Sequence, residues 1–127
     1  MLLGDLFSIR SIQKQENAAK AILAVNSGHP IFEGHFPDQP VLPGACQLQM
    51  VKEVLQSILN AEIQIIKASQ VKFLSVIDPN KIDVLTLDIK HSINDALELG
   101  VTASITNGSV TCFKFSGTFR VHLRDGA

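Results

Sequence analysis

The sequence predicts an α+β domain in which an antiparallel sheet of about six strands curls around one long helix. Three observations carry this expectation. Only the segment from Gly44 to Asn60 repeats apolar residues at helical spacing, with Val51, Val54, Leu55 and Ile58 on one face and Gln49, Lys52, Glu53 and Gln56 on the other. Residues 96–106 and 109–123 instead alternate apolar and polar side chains, and Asn107-Gly108 between them is a strong hairpin signal. A lone amphipathic helix must bury its apolar face on the sheet, so wrapping the strands around it is the economical arrangement.

The remaining elements follow in chain order. Residues 6–13 and 18–26 read as strands joined by a polar turn at 14–17. From Ser27 to Gly44, four prolines and three glycines exclude a long regular element. Ile31, Phe32, Phe36, Val41 and Leu42 make this a packed loop, and its length is typical of functional loops. Pro43 suits a helix entrance, where its missing N–H costs nothing, and Asn60 suits a helix stop. Residues 62–77 and 82–93 are rich in β-branched side chains and meet at the turn sequence Asp78-Pro79-Asn80-Lys81, so the last four strands read as a meander. The sheet edges of such a domain are open, and pairing them across a two-fold axis predicts a dimer.

Bulk properties narrow the function. At 127 residues the chain reads as one domain over residues 1–127. A hydrophobic fraction of 46% and a mean hydropathy of +0.23 are high for a small monomer and fit a subunit interface or an acyl-binding channel. A net charge of −1 without a basic cluster argues against nucleic acid. Cys46 and Cys112, isolated and without ligand spacing, read as reduced, packed thiols of a cytoplasmic protein. The opening MLLGDLFSIR, which lacks a basic leader and a long apolar run, is not expected to be a signal peptide, and no apolar run reaches the length of a membrane span. His91 and His122 fall on strands without ligand-like partners, so no metal or other cofactor is expected.

The chemistry concentrates in Gly34-His35-Phe36-Pro37-x-x-Pro40-Val41-x-Pro43-Gly44. This stretch resembles the signature of the (3R)-hydroxyacyl-[acyl-carrier-protein] dehydratases of fatty-acid synthesis, which have the hotdog fold. Phe32 before the motif, and Val71-Lys72-Phe73 followed by Pro79 after the helix, extend the resemblance over most of the chain. It implies that His35 is the base that takes the α-proton of a 3-hydroxyacyl thioester, a task suited to an imidazole that titrates near neutral pH. It places Gly44, Ala45 and Phe36 against the substrate, with the first N–H groups of the helix polarising the thioester carbonyl. It also implies a helix carboxylate, supplied by the partner subunit, that assists departure of the hydroxyl, and an acyl tunnel at the dimer interface.

This chain departs from that pattern at one position. The family's helix carboxylate falls on Gln49. An amide cannot exchange a proton as a carboxylic acid does, but it can bond a hydroxyl or orient a water. Glu53, one turn further on, reads as a solvated residue beside Lys52, and Asp38 on the motif loop is a second possible stand-in. Gln47 falls nearer the apolar face and needs buried partners. Gly28-His29-Pro30 imitates the motif without its spacing, so His29 reads as structural or exposed.

The expected activity is therefore a dehydratase-like conversion of (3R)-hydroxyacyl to trans-2-enoyl thioesters, with His35 and Gln49 as catalytic residues. The expected partner is acyl carrier protein, and the expected assembly is a homodimer, a higher homo-oligomer or a heteromer. Two alternatives stand beside it: a non-catalytic acyl-binding or heteromeric dehydratase subunit, and a hotdog thioesterase in which His35 and Gln49 manage a water.

Overall fold

The computed structural model describes residues 1–33 and 40–123. Its elements are β1 (Phe7–Gln15), β2 (Ala18–Val25), a 3₁₀ turn (Pro30–Phe32), α1 (Gly44–Leu59), β3 (Glu62–Phe73), β4 (Val84–Ile93), β5 (Glu98–Asn107) and β6 (Val110–His122). The strands form one six-stranded antiparallel sheet in the order β1-β2-β4-β5-β6-β3. With one long helix packed on that sheet, this is the hotdog fold expected from the sequence.

The order corrects the meander in one place. β3 and β4 do not pair; β3 lies beside β6 at one edge, and β4 lies between β2 and β5. Burial explains the exchange. β4 points Leu85, Leu87 and Ile89 into the core, as a central strand should, whereas Ile63 is the only buried residue of β3. The turn at Asp78 exists, with the N–H groups of Lys81 and Ile82 bonded to its carbonyl and that of Asn80 to its side chain. It turns a crossover rather than a hairpin, and the sequence cues for the two are the same.

Other boundaries shift slightly. β3 stops at Phe73 rather than residue 77. The helix ends at Leu59, and Asn60 closes it in the left-handed conformation (φ 49°, ψ 46°). The β5–β6 hairpin is centred one residue later than expected: Asn107 pairs with Val110, and Gly108 takes φ 56° as the first residue of a two-residue loop.

The core is the wheel read from the sequence, with Met50 added. Met50, Val51, Val54 and Leu55 are fully buried among Leu23, Leu87, Ile105, Phe113, Phe115 and Phe119. Ile58 is only partly buried. β3 presents Ile65, Ile66, Val71 and Phe73 to solvent in the single chain, an open and partly apolar edge.

Packing is tight where β6 meets β3. A Cβ on Gly117 would lie 2.4 Å from the Lys67 carbonyl oxygen and 2.5 Å from the Phe115 ring, between two β3 irregularities. On Gly100 its nearest neighbour would be 3.8 Å away. Gly117→Ala is expected to destabilise the domain by about 1–3 kcal/mol and Gly100→Ala to change it by less than about 1 kcal/mol, read as urea midpoints at unchanged m-value.

Candidate active site

The start of α1 is built to leave donors open. Pro43, extended at φ −61° and ψ 146°, precedes the first turn and offers no side-chain cap. Its carbonyl accepts from the N–H groups of Cys46 (3.1 Å) and Gln47 (3.2 Å). The N–H groups of Gly44 and Ala45 have no partner among the described residues. Leu42 N–H donates to the Ile77 carbonyl at 2.8 Å, which pins the approach to the helix onto the β3–β4 crossover. Two donors at the positive end of the helix dipole, unpartnered among the described residues, suit an oxygen that gains negative charge.

Phe73, the last residue of β3, covers this entrance. A Cβ on Gly44 would lie 2.4 Å from its ring, so the glycine is what lets the ring rest there. Phe73 also packs on buried Phe113 (centroids 5.3 Å apart) yet remains 59% exposed in the single chain. The sequence offered Phe73 only as part of a resemblance, and its contact with Gly44 was not foreseen. His35, Phe36 and Asp38 lie outside the described residues.

Gln49 and Glu53 are joined one turn apart, and here the sequence reading of Glu53 is corrected. Glu53 is not solvated but 1% exposed. The chain's first residues fold back over the helix, and Glu53 accepts from Leu2 N–H (3.0 Å), Leu3 N–H (2.8 Å) and the Gln49 side-chain amide (2.9 Å). Burial works to raise the Glu53 carboxyl pKa. The Leu2, Leu3 and Gln49 bonds, with the positive amino terminus, outweigh it and hold the group below the usual glutamate value. The signal that could have found this is the apolar pair Leu2-Leu3, which packs on the core and brings its backbone to the helix.

The other polar residues sort plainly. Gln56 accepts from Ile63 N–H and belongs to the helix–strand junction. Gln47 is buried and donates to the Leu42 carbonyl at 3.2 Å, consistent with an amide that holds the loop before the helix. Its Oε1 has no partner among the described residues. His29 is structural, as expected: Nδ1 accepts from Ile31 N–H, so Nε2 carries the proton and donates to Asp5 at 3.0 Å. Cys46 and Cys112 are free thiols whose pKa values burial pushes up, which favours packing over reactivity. Among the described residues no three His, Cys, Asp or Glu side chains cluster as a metal site, and no helix is long and apolar enough to cross a membrane.

Two surface grooves, of about 550 and 820 Å³, lie on the sheet and are lined by residues such as Lys20, Lys90, Thr102 and Ser116, away from the helix entrance. Gly44, Ala45 and Gln49 line neither of them.

Known proteins agree with this class. The same fold occurs in the dehydratase heterocomplex ApeI:P of Xenorhabdus doucetiae (22% identity, TM-score 0.62, 91% of this chain and 96% of that one). It occurs also in a hypothetical thioesterase with coenzyme A from Streptococcus pneumoniae TIGR4 (12% identity, TM-score 0.65, 93% and 87%). The described architecture and these neighbours thus define a hotdog protein. The model of the ApeI dehydratase family matches residues 11–111, and the chain belongs to this ApeI-like family. Among sequence relatives, the 3-hydroxyacyl-[acyl-carrier-protein] dehydratase FabZ of Natranaerobius thermophilus is 30% identical over 57% of this chain and 54% of its own length. The FabZ of Caldicellulosiruptor bescii is 28% identical over 81% and 79%.

The buried carboxylate gives a pH signature. A group whose folded pKa is lowered contributes stability above its unfolded value, near pH 4.3 for glutamate, and loses that contribution as the pH falls through the folded value. Glu53→Leu strands three donors and is expected to cost about 2–4 kcal/mol at pH 7. The difference in melting temperature between wild type and this variant should shrink as the pH is lowered below about 4.

Proposed function

We propose that the protein acts on (3R)-hydroxyacyl thioesters of acyl carrier protein and takes part in their dehydration to trans-2-enoyl thioesters. The observation that carries this reading is the open pair of N–H donors on Gly44 and Ala45, with Gln49 about 7 Å further along the helix axis. That spacing suits a thioester carbonyl at the helix entrance and a 3-hydroxyl at the amide. His35 removes the α-proton, and the two N–H groups hold the developing enolate oxygen. The β C–O bond then breaks and the hydroxide needs a proton to leave as water.

The Gln49 side chain cannot supply that proton. Glu53 is fully engaged by Leu2, Leu3 and Gln49 and is held ionised. We infer that the acid comes from a second chain, which makes this protein a subunit of a heteromeric dehydratase. The exposed, partly apolar β3 edge supports pairing with that second chain, and Phe73 at its end brings the pairing face to the helix entrance.

The test is a hydration and dehydration assay with trans-2-enoyl and 3-hydroxyacyl thioesters on wild type, His35→Ala and Gln49→Glu. Wild type alone is expected to turn over slowly, Gln49→Glu to gain at least about 10-fold, and His35→Ala in the Gln49→Glu background to lose about 10²–10⁴-fold. Hydrolysis of the thioester without dehydration would replace this reading with the thioesterase. Val71→Lys on the β3 edge should lower the mass of the assembly measured by light scattering while leaving the fold intact.

A further inference from the structure

We propose that Glu53 is a positioning residue that fixes the hydrogen-bond polarity of Gln49, turning the amide's carbonyl oxygen toward the substrate so that position 49 accepts from a 3-hydroxyl. This inference rests on the thioester reading above and deepens it, because it sets which oxidation level of the acyl chain the site prefers.

The geometry contains its own proof of orientation. An amide can be placed either way round in most settings, since its oxygen and nitrogen are nearly equal in size. Here the choice is chemical. The Gln49 terminus lies 2.9 Å from Glu53 Oε2, and a carboxylate only accepts, so the Nε2 edge must face it. Glu53 in turn cannot swing away. Oε2 also accepts from Leu2 N–H and Oε1 from Leu3 N–H, and the residue is 1% exposed. Rotation of Glu53 would strand two backbone donors. The clamp is therefore a relay from the backbone of residues 2 and 3, through a carboxylate, to an amide.

The consequence falls on Gln49 Oε1, which has no partner among the described residues and lies on a half-buried side chain. A 3-hydroxyl can donate to that oxygen. A 3-oxo group cannot, since two carbonyl oxygens would face each other. Freed of Glu53, the amide could turn over and donate to the 3-oxo group instead. A clamped Gln49 thus separates 3-hydroxyacyl from 3-oxoacyl chains, and an unclamped one does not.

The experiment measures binding of 3-hydroxyacyl and 3-oxoacyl pantetheine thioesters of equal chain length, by calorimetry, in a His35→Ala background that suppresses turnover. With Glu53 present, the 3-hydroxy compound is expected to bind about 3- to 10-fold more tightly, the scale of one hydrogen bond. In Glu53→Met the ratio should fall to near one, chiefly because the 3-oxo compound binds better. A merely structural role would weaken both compounds together. Glu53→Asp, which withdraws the carboxylate by about 1.5 Å, reads the same change should Glu53→Met not fold. A ratio near one in the presence of Glu53, or a ratio that survives both substitutions, overturns the proposal while leaving the thioester reading in place. If neither thioester binds, both the proposal and the thioester reading fall.

Discussion

The apolar face of a sixteen-residue helix has to be buried, and no other long helix among the described residues packs against it. That constraint organises the rest. Met50, Val51, Val54 and Leu55 take the concave face of the sheet, and the large side chains of β6 fill the space around them. The opposite face of a helix usually stays in water. Here Leu2 and Leu3, themselves partly buried, pack over part of it and point their own N–H groups at the buried Glu53 carboxylate. Those donors need an acceptor, and a carboxylate is the strongest one a helix can offer. Glu53 is thus a consequence of covering the helix twice. An ionised group is tolerated there because three donors replace its water.

The two ends of the helix are treated differently, and the difference makes the site. At the C-terminus Asn60 turns left-handed and its N–H bonds the Gln56 carbonyl, while Gln56 reaches out to Ile63. At the N-terminus the chain arrives through a proline that cannot cap, held in place by Leu42 on the crossover. Stabilisation of that end comes from neighbours rather than from a side-chain cap, and the first two N–H groups have no partner among the described residues. The aromatic ring of Phe73 then covers the end without bonding it, which keeps the donors in a partly apolar setting where their dipoles act more strongly.

Much of this was legible in the sequence, for reasons that also explain what was not. The helix and the β5–β6 hairpin were readable because burial on one face imposes a period, and both segments have one solvated face. β3 and β4 were misjoined because Ile65, Ile66 and Val71 carry the β-branched signal of a strand without the burial that usually goes with it. Asp78-Pro79 marks a change of direction and does not say how far the chain then travels. Position 49 was found by spacing along the motif. Its partner was misread because a helical wheel records one buried face, and Glu53 on the second face is covered by residues 50 and 51 positions earlier. His29 was separable from His35 by spacing alone, and its bonds to Ile31 and Asp5 show why a second histidine sits so close.

The open edge and the open helix end are one structural problem. β3 is the strand whose side chains the single chain leaves in water, and its last residue is the one that rests on Gly44. Whatever pairs with β3 therefore approaches the helix entrance as well, and removes water from the exposed ring of Phe73 at the same step. Gly44 and Ala45 supply donors, while Gln49, turned by Glu53, supplies an acceptor; no acid is set among these four. A second chain docked along β3 would, in the proposed reading, bring the proton donor that Gln49 and Glu53 do not supply. In the proposed reading, interface and chemistry are then joined through β3, and assembly completes the reaction centre instead of merely enclosing it.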